Sequence, residues 1–189
     1  MRLLIMGPPG AGKGTQAERI KNELNIIHIS TGSLLRKQIK SETQIGSIAK
    51  RFIDKGRLVP DSILLSIIKS RTSESDCKNG YILDGFPRTL SQAIGLEDFL
   101  IKSSLNLNYA IHLEAKENEL INRLIKRGLD SGRSDDKLGI IKKRQKIYWE
   151  ETAPLLDYYN NKDILINIDG LGSIDIVTKR IFKILRKKC

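Results

Sequence analysis

The sequence predicts an α/β fold in which a five-stranded parallel sheet is flanked by helices on both faces. Two observations support it: short apolar, β-prone runs recur along the chain, and segments with helical spacing of apolar residues lie between them. Strands that alternate with helices favour a mostly parallel sheet with helical layers on both sides. At 189 residues the chain can bury a full core without disulfides or metals. We therefore predict one domain over residues 1–189.

The predicted strands are short, and polar residues or glycine bound each of them. They cover residues 3–6, 26–29, 81–83, 109–113 and 164–168. Helical spacing is clearest at residues 63–68, 120–125 and 174–184.

Two segments depart from this alternation. Residues 30–59 carry several helical patterns, which is more than one crossover helix requires, so we predict a small helical subdomain there. Residues 128–136 read GLDSGRSDD, a composition typical of a mobile loop between two helices.

Composition narrows the classes of partner and location. The net charge of +11 favours polyanions, either nucleic acid or a highly charged nucleotide. Aromatic residues make up 5% of the chain, so a platform for stacking single-stranded bases is not expected.

The N-terminal apolar run is too short for a signal peptide, and no run approaches the ~18 apolar residues of a membrane span. Cys77 and Cys189 lack the spacing of a zinc or redox pair, which favours a cytoplasmic protein.

The stretch GPPGAGKGT, residues 7–15, follows the first predicted strand and precedes a helix, as a phosphate-binding loop (P-loop) does. Its glycines let backbone N–H groups converge on phosphate oxygens, and Lys13 supplies a charge for the β- and γ-phosphates. Gly14 stands where Ser or Thr usually binds magnesium, and Thr15 comes one place later. We therefore predict a P-loop NTPase-type three-layer fold. Because the usual hydroxyl ligand is missing, we expect magnesium to be held mainly by substrate phosphates and water.

Two further motifs place polar groups near this loop. In YILDGFPRT, Asp84 ends a predicted buried strand, where it can orient magnesium-bound water or cap the following helix. Arg88 follows Pro87 and suits bidentate binding of a phosphate.

In HISTGSLLR, Thr31 and Ser33 are explained by helix capping, whereas Arg36 lies one turn into the helix. His28 and His112 lie within strands and are interpreted as core or edge residues.

The last motif is a set of spaced arginines: Arg123, Arg127, Arg133 and Arg144. The first two share one helix face, the third lies in the predicted loop beside Asp135 and Asp136, and the fourth is on the next helix. Such a set suits the charge of a transferring phosphoryl group. A solvated pair of helices with surface ion pairs explains the same spacing equally well.

Together these motifs resemble those of the nucleoside monophosphate kinases, and most closely those of the adenylate kinases with a short lid. The resemblance covers nearly the whole chain, through GPPGAGKGTQ, HISTGSLLR, GRLVPD, YILDGFPRT, KRGLDSGRSDD and IKKR in order. It implies reversible transfer of the γ-phosphoryl group from MgATP to AMP, giving two ADP. Residues 30–59 would be the AMP-binding subdomain and residues 127–137 a short lid over ATP. The lid has no room for an inserted, sometimes zinc-bearing lobe, so we predict no zinc, and we expect a monomer.

The resemblance also implies roles for individual residues. The ATP-binding set is Gly10, Ala11, Gly12, Lys13, Gly14, Thr15, Arg123 (stacked on the adenine), Arg127 and Gly172. The AMP-binding set is Thr31, Arg36, Arg57, Leu58, Val59, Gly85, Phe86, Pro87, Arg88, Gln92, Arg133 and Arg144. The catalytic set is Lys13, Arg88, Arg123, Arg133 and Arg144, with Asp135 and Asp136 orienting the last two arginines and Asp84 acting on magnesium through water.

Two departures from the family pattern and two alternatives remain. Ser33 stands where the family usually has Asp, and Ser62 where it usually has an acid. Because the first of these acids helps to organise the water shell of magnesium, we expect Ser33 to affect magnesium affinity more than reaction type. Within the class, UMP/CMP kinase is the rival; Thr31, together with GFPRT followed by Gln92, favours AMP. From another class, a nucleotide-dependent nucleic-acid-binding factor would use the net charge, and salt-sensitive binding without phosphoryl transfer would identify it.

Overall fold

The sheet observed in the structure is entirely parallel. The computed structural model describes the backbone of residues 1–188 and the side chains of all of these except residues 117, 118 and 188. Within this part the strands are β1 (Arg2–Met6), β2 (Ile27–Ser30), β3 (Tyr81–Asp84), β4 (Tyr109–Glu114) and β5 (Leu165–Asp169), in the spatial order β2-β3-β1-β4-β5. The predicted α/β fold and its five strands are confirmed. Cys189 lies outside the described residues.

Helices follow or separate the strands. They are α1 (Lys13–Leu24), α2 (Thr31–Lys40), α3 (Gln44–Ile53), α4 (Asp61–Thr72), α5 (Leu90–Lys102), α6 (Glu117–Ser131), α7 (Leu138–Ile147), α8 (Leu155–Asn160) and α9 (Ile174–Lys188). Short 3₁₀ turns cover Ser75–Cys77 and Ser134–Asp136, and a π-helical turn covers Tyr148–Thr152. Among the described residues no helix is long and apolar enough to cross a membrane.

The sheet divides the hydrophobic core into two layers. Alternate residues of β1 enter different layers: Leu4 and Met6 pack on one face, and Leu3 and Ile5 on the other. Alternation of this kind follows from the two-residue period of a strand. Burial on both faces explains why the central strands read as continuous apolar runs.

The strand order also positions the functional loops. The chain leaves β1 for the β2 side of the sheet, returns through β3, and then crosses to β4 on the other side of β1. Ligands of open α/β sheets bind where the order reverses, at the carboxyl ends of the strands. The loops after β1 and β3 are neighbours there, since Ile5 pairs with Asp84 in register.

Helices α2 and α3 fall within the predicted helical subdomain, residues 30–59, but the capping residue differs from the prediction. Ser30 is the N-cap of α2, and its hydroxyl accepts a hydrogen bond from the Ser33 N–H. Thr31 is instead buried, and its hydroxyl donates to the Gly85 carbonyl at 2.9 Å. The capping explanation for Thr31 and Ser33 is therefore wrong, and the Thr31 hydroxyl contacts the loop after β3 instead.

The predicted loop at residues 128–136 is shorter than its composition indicates. Helix α6 continues to Ser131, whose hydroxyl donates to the Arg127 carbonyl at 2.7 Å. Only a few residues and the 3₁₀ turn Ser134–Asp136 then separate α6 from α7. The glycine and serine content therefore marks the end of a helix more than a long loop.

Candidate active site

A cavity of about 870 Å³ lies at the carboxyl ends of the central strands. Its walls come from the P-loop, from α2 and the segment after α3, from the loop after β3, from α6 and α7 with the turn between them, and from the segment after β5. This volume is at the upper end of the range for small-molecule sites, so it suits a large ligand or two smaller ones.

The P-loop wraps the start of α1 at one end of this cavity. Gly10 has φ +91°, and a Cβ there would lie 2.8 Å from the Leu120 carbonyl oxygen. Only glycine therefore fits between the loop and α6. Gly12, the residue before α1, is also left-handed. The predicted ATP-phosphate residues, Gly10 to Thr15, all line the cavity.

Lys13 is held back against its own loop. Its Nζ donates to the carbonyl oxygens of Gly7 at 2.7 Å and Pro8 at 2.9 Å. Burial lowers the pKa of Lys13 to about 7, an effect that Asp84 opposes and the nearby arginines reinforce. A neutral amine still has two N–H groups for these two carbonyls. The lysine therefore lies beside the phosphate-binding loop, and at neutral pH a large fraction of its amine is uncharged.

This depressed pKa predicts proton uptake when phosphates bind. Phosphate oxygens favour the charged ammonium and raise its pKa, so the protein should take up close to one proton per ATP at about pH 8. Uptake should be much smaller at about pH 6, where Lys13 is already charged. Calorimetric titration with metal-free ATP in buffers of different ionisation enthalpy measures it. The Lys13→Met variant is the control, and equal uptake in that variant would contradict the assignment.

Asp84 lies beside Gly14, the residue that departs from the usual P-loop pattern. A Cβ on Gly14 would be 3.5 Å from the Asp84 Oδ2. Burial alone would raise the pKa of Asp84, but His28, Lys13 and Arg88 outweigh it and hold the pKa below its usual value. An ionised carboxylate therefore lies next to the point where a side chain at residue 14 would begin. Oxygen donors of this kind suit magnesium, so the residues present fit the predicted ion.

Arg88 and Thr31 meet at Gly85 on the opposite side of the cavity. Gly85 has φ +78°, and a Cβ there would lie 2.9 Å from both Arg88 Nη2 and Thr31 Oγ1. Arg88 Nε donates to the Gly85 carbonyl at 2.8 Å. Burial lowers the pKa of Arg88, and Arg144 lowers it further, while Asp84 and Asp135 oppose them. Arg88 is thus a half-buried cation, in a position that favours an anionic ligand.

Gln92 and Phe86 lie behind the cavity rather than in its wall. Gln92 is fully buried; its amide oxygen accepts from the Arg88 backbone N–H at 2.8 Å, and its amide nitrogen donates to Asp61 at 2.7 Å. Phe86 is 1% exposed. Neither is among the lining residues. In this structure Gln92 therefore supports the Arg88 loop, which differs from the direct contact with AMP expected from sequence.

Asp136 joins two of the spaced arginines. Its buried carboxylate accepts two hydrogen bonds from Arg127 and one from Arg144, all at 2.7 Å. Burial alone would raise the pKa of Asp136, but the two arginines outweigh it and lower the pKa. Asp135 also pairs with Arg144, at 2.9 Å. Among the described residues these carboxylates form no ion pair with Arg133, so the expected partner Arg133 is replaced by Arg127.

The remaining predicted residues are distributed around the cavity. Arg123 lines it, is 38% exposed in its side chain, and pairs with Glu119 at 3.2 Å. Arg36 donates to the Ser33 hydroxyl at 3.3 Å. Also lining the cavity are Arg57, Leu58, Val59, Pro87, Arg127, Arg133, Asp135, Arg144 and Gly172. All four spaced arginines therefore line one cavity. Arg123 also forms the kind of exposed ion pair that the alternative of two solvated helices predicts.

Sequence reasoning missed several groups that hold the site together. Gln145 Nε2 donates to the Pro9 carbonyl at 2.9 Å, and Thr152 Oγ1 donates to the Arg88 carbonyl at 2.9 Å. Both lie on the continuous segment of α7 and the π-helical turn. His28, interpreted as a core or edge residue, also lines the cavity. Nothing local in the sequence marks these contacts, because their partners are far away along the chain.

Comparison with known proteins identifies the family. A family model described as adenylate kinase matches residues 5–164. An adenylate kinase of Leptospira biflexa is 47% identical over 182 residues, covering 96% of this chain and 98% of that protein. Adenylate kinases of Pseudarthrobacter chlorophenolicus and Kocuria rhizophila are 43% and 44% identical, each over 98% of this chain and over 96% and 99% of their own lengths. The chain therefore belongs to the adenylate kinase family.

Proposed function

We propose that this protein is a phosphotransferase that moves the γ-phosphoryl group of MgATP to AMP, reversibly, and so interconverts ATP and AMP with two ADP. The single observation that carries the proposal is the convergence of cations on one cavity. Lys13 comes from the P-loop, Arg88 from the loop after β3, and the spaced arginines from α6, α7 and the turn between them. Family membership supports the same reaction.

Two nucleotides would occupy opposite ends of the cavity. ATP would bind with its phosphates on the P-loop and its base near Arg123 and Gly172. AMP would bind between α2 and the segment 57–59, with its phosphate at Arg88 and Arg36. The two phosphate sites then face each other across the strand ends, which is the arrangement an in-line transfer needs.

The residues of the chain bind, orient and shield the reacting groups. AMP phosphate is largely dianionic at neutral pH, with a second pKa near ~6, so its attacking oxygen needs no general base. Lys13, Arg88, Arg133 and Arg144 would stabilise the charge that spreads over the transferring group. Magnesium carried by ATP would neutralise phosphate charge, and Asp84 would hold its water molecules.

The short connection between α6 and α7 would act as the lid, and α2 with α3 as the AMP-binding subdomain. Closure of both would exclude water, so that ATP is not hydrolysed. One contact already spans the two parts: the Ser134 hydroxyl donates to the Asp54 carboxylate at 2.8 Å. We further propose that the protein acts as a cytoplasmic monomer without zinc.

An assay of the purified protein tests the proposal. ADP with magnesium should yield equal amounts of ATP and AMP, and kcat/KM in the forward direction should be at least ~10-fold higher for AMP than for CMP or UMP. Faster turnover of CMP or UMP would instead identify a pyrimidine nucleotide kinase. Absence of phosphoryl transfer, together with salt-sensitive binding of RNA or DNA, would support the nucleic-acid-binding alternative.

A further inference from the structure

Helix α7 and the π-helical turn form one continuous segment that contacts both phosphate-binding loops. α7 passes directly into the turn Tyr148–Thr152, where the Ala153 N–H donates to the Tyr148 carbonyl at 2.8 Å, the five-residue spacing of a π-helix. Such turns are rare and often lie at functional sites. Gln145 of α7 contacts the P-loop, and Thr152 at the end of the turn contacts the loop after β3. One segment therefore links the loops assigned to ATP and to AMP.

Gln145 fixes one peptide unit of the P-loop. Its Nε2 donates to the Pro9 carbonyl at 2.9 Å. The C=O and N–H of a trans peptide unit point in opposite directions, so the Gly10 N–H points away from Gln145. Gly10 lines the cavity, and its N–H has no hydrogen-bond partner in the part of the chain that the structure describes. Gln145 therefore orients a free backbone donor, the group with which such loops bind phosphate.

The amide oxygen of Gln145 indicates that the residue does more than fill space. The residue is 2% exposed, and its Oε1 is buried without a hydrogen-bond partner among the described residues. A buried polar atom without a partner costs free energy, so an apolar side chain of similar size would pack here at a lower cost. What the amide supplies at this position is the contact with Pro9.

Thr152 fixes the loop after β3 at Arg88. Its hydroxyl donates to the Arg88 carbonyl at 2.9 Å, while the Arg88 backbone N–H donates to Gln92 at 2.8 Å. The Arg88 backbone is thus held on both sides of its Cα, and the Gly85 carbonyl accepts from its Nε. A helical threonine often donates to the carbonyl four residues earlier, whereas this hydroxyl contacts another segment. Thr152 therefore helps to set where the Arg88 guanidinium lies.

Between these two contacts the segment is attached to the sheet. The Tyr148 hydroxyl lies 3.3 Å from Nε2 of His112 on β4, and Nδ1 of His112 lies 3.1 Å from the Asn167 amide oxygen on β5. When Nδ1–H donates to Asn167, Nε2 accepts from the tyrosine. Tyr148 and Thr152 are both buried. The segment therefore cannot slide relative to the strand ends without breaking buried hydrogen bonds, which is costly.

We propose that Gln145 and Thr152 are positioning residues for phosphoryl transfer. Gln145 acts on the phosphates of ATP through the P-loop, and Thr152 acts on the phosphate of AMP through Arg88. Because both are carried by one segment attached to the sheet, that segment sets the separation of the two phosphate sites, on which in-line transfer depends. This inference rests on the proposed function for the identity of the two nucleotides.

Separate binding measurements for the two nucleotides test these roles. The Kd of MgATP and the Kd of AMP are measured by calorimetry for wild type, Gln145→Met and Thr152→Val. Gln145→Met should weaken MgATP binding about fivefold and leave the Kd of AMP within about twofold of wild type, since loss of one neutral hydrogen bond acts on this scale. Thr152→Val should give the opposite pattern for the same reason.

Rescue and control variants distinguish positioning from packing. Thr152→Ser retains the hydroxyl and should restore the wild-type Kd of AMP; an unrestored Kd would contradict the role of Thr152. Thr72→Val removes a hydroxyl that donates to the Ile68 carbonyl at 2.7 Å at the end of α4, and it should change neither Kd. Gln145→Met should unfold at a temperature close to that of wild type, since it also removes the Oε1 that lacks a partner among the described residues.

Each role has its own contradicting result, separate from that of the proposed function. If Gln145→Met keeps the wild-type Kd of MgATP, or weakens both nucleotides equally, the role of Gln145 is wrong, even when wild type converts ADP into ATP and AMP. The same criterion applies to Thr152→Val and AMP. If wild type fails to convert ADP, the proposed function is wrong, whatever the Kd values. Should either variant fail to fold, Gln145→Leu or Thr152→Ala is measured in its place and judged in the same way.

Discussion

Replacing Lys13 with methionine should lower kcat at least ~100-fold, the scale on which a group that stabilises transition-state charge acts. The structure gives the reason: two contacts with backbone carbonyls hold the Lys13 Nζ beside the phosphate-binding loop, where bound phosphates favour its charged form. Methionine keeps most of the length and apolar volume but loses the charge. Steady-state rates of ADP formation at saturating ATP and AMP measure the effect.

Lys179→Met provides the matched control for this experiment. Lys179 is exposed on α9, away from the cavity, and the same substitution there should leave kcat unchanged. Because loss of the Lys13 charge acts mainly on the transition state, the change in kcat should exceed the change in KM for either nucleotide. A near-normal kcat in Lys13→Met would exclude the role assigned to this lysine.

Replacing Arg88 with alanine should also lower kcat at least ~100-fold, and it should raise KM for AMP while changing KM for ATP little. Arg88 is half-buried at the end of the cavity where Thr31 and Gly85 lie, and the Gly85 carbonyl orients its guanidinium. Arg88→Lys keeps a charge but loses the planar fork, so it should recover only part of the activity.

The control for this second experiment is Arg186→Ala, which removes an exposed arginine paired with Glu23 on the far side of α1. It should change neither constant, since exposed pairs contribute little. If Arg88→Ala raised KM for ATP and not for AMP, the two nucleotide positions proposed for the cavity would have to be exchanged.

Local patterns made the fold and much of the site predictable. The apolar runs of β1 and β3 are buried on both faces, so each was recognisable without its neighbours. The P-loop could be predicted because its glycines, lysine and flanking elements are contiguous. Asp84 and Arg88 followed from their position at the end of a buried strand, where parallel sheets place their ligands.

Contacts between distant segments were harder to predict from the sequence. The spacing of Arg123 and Arg127 fixes a helix face but does not say which carboxylate folds back onto it, and Asp136 does so through a 3₁₀ turn after the end of α6. At the start of α2, Ser30 and Thr31 are both good capping residues, and only the end of β2 decides between them. Gln92 was associated with AMP by its motif, whereas its depth behind Arg88 depends on Asp61 of α4.

The cations of the cavity repel one another before any nucleotide arrives. Nearby arginines lower the pKa of Lys13, of Arg88 and of Arg133, in addition to the effect of burial. A phosphate group relieves this repulsion, whereas a nucleoside, with the same base and ribose but no charge, leaves it intact. The electrostatic field of the cavity therefore favours nucleotides over nucleosides. It acts while the ligand is still outside the cavity, before base contacts or lid closure contribute.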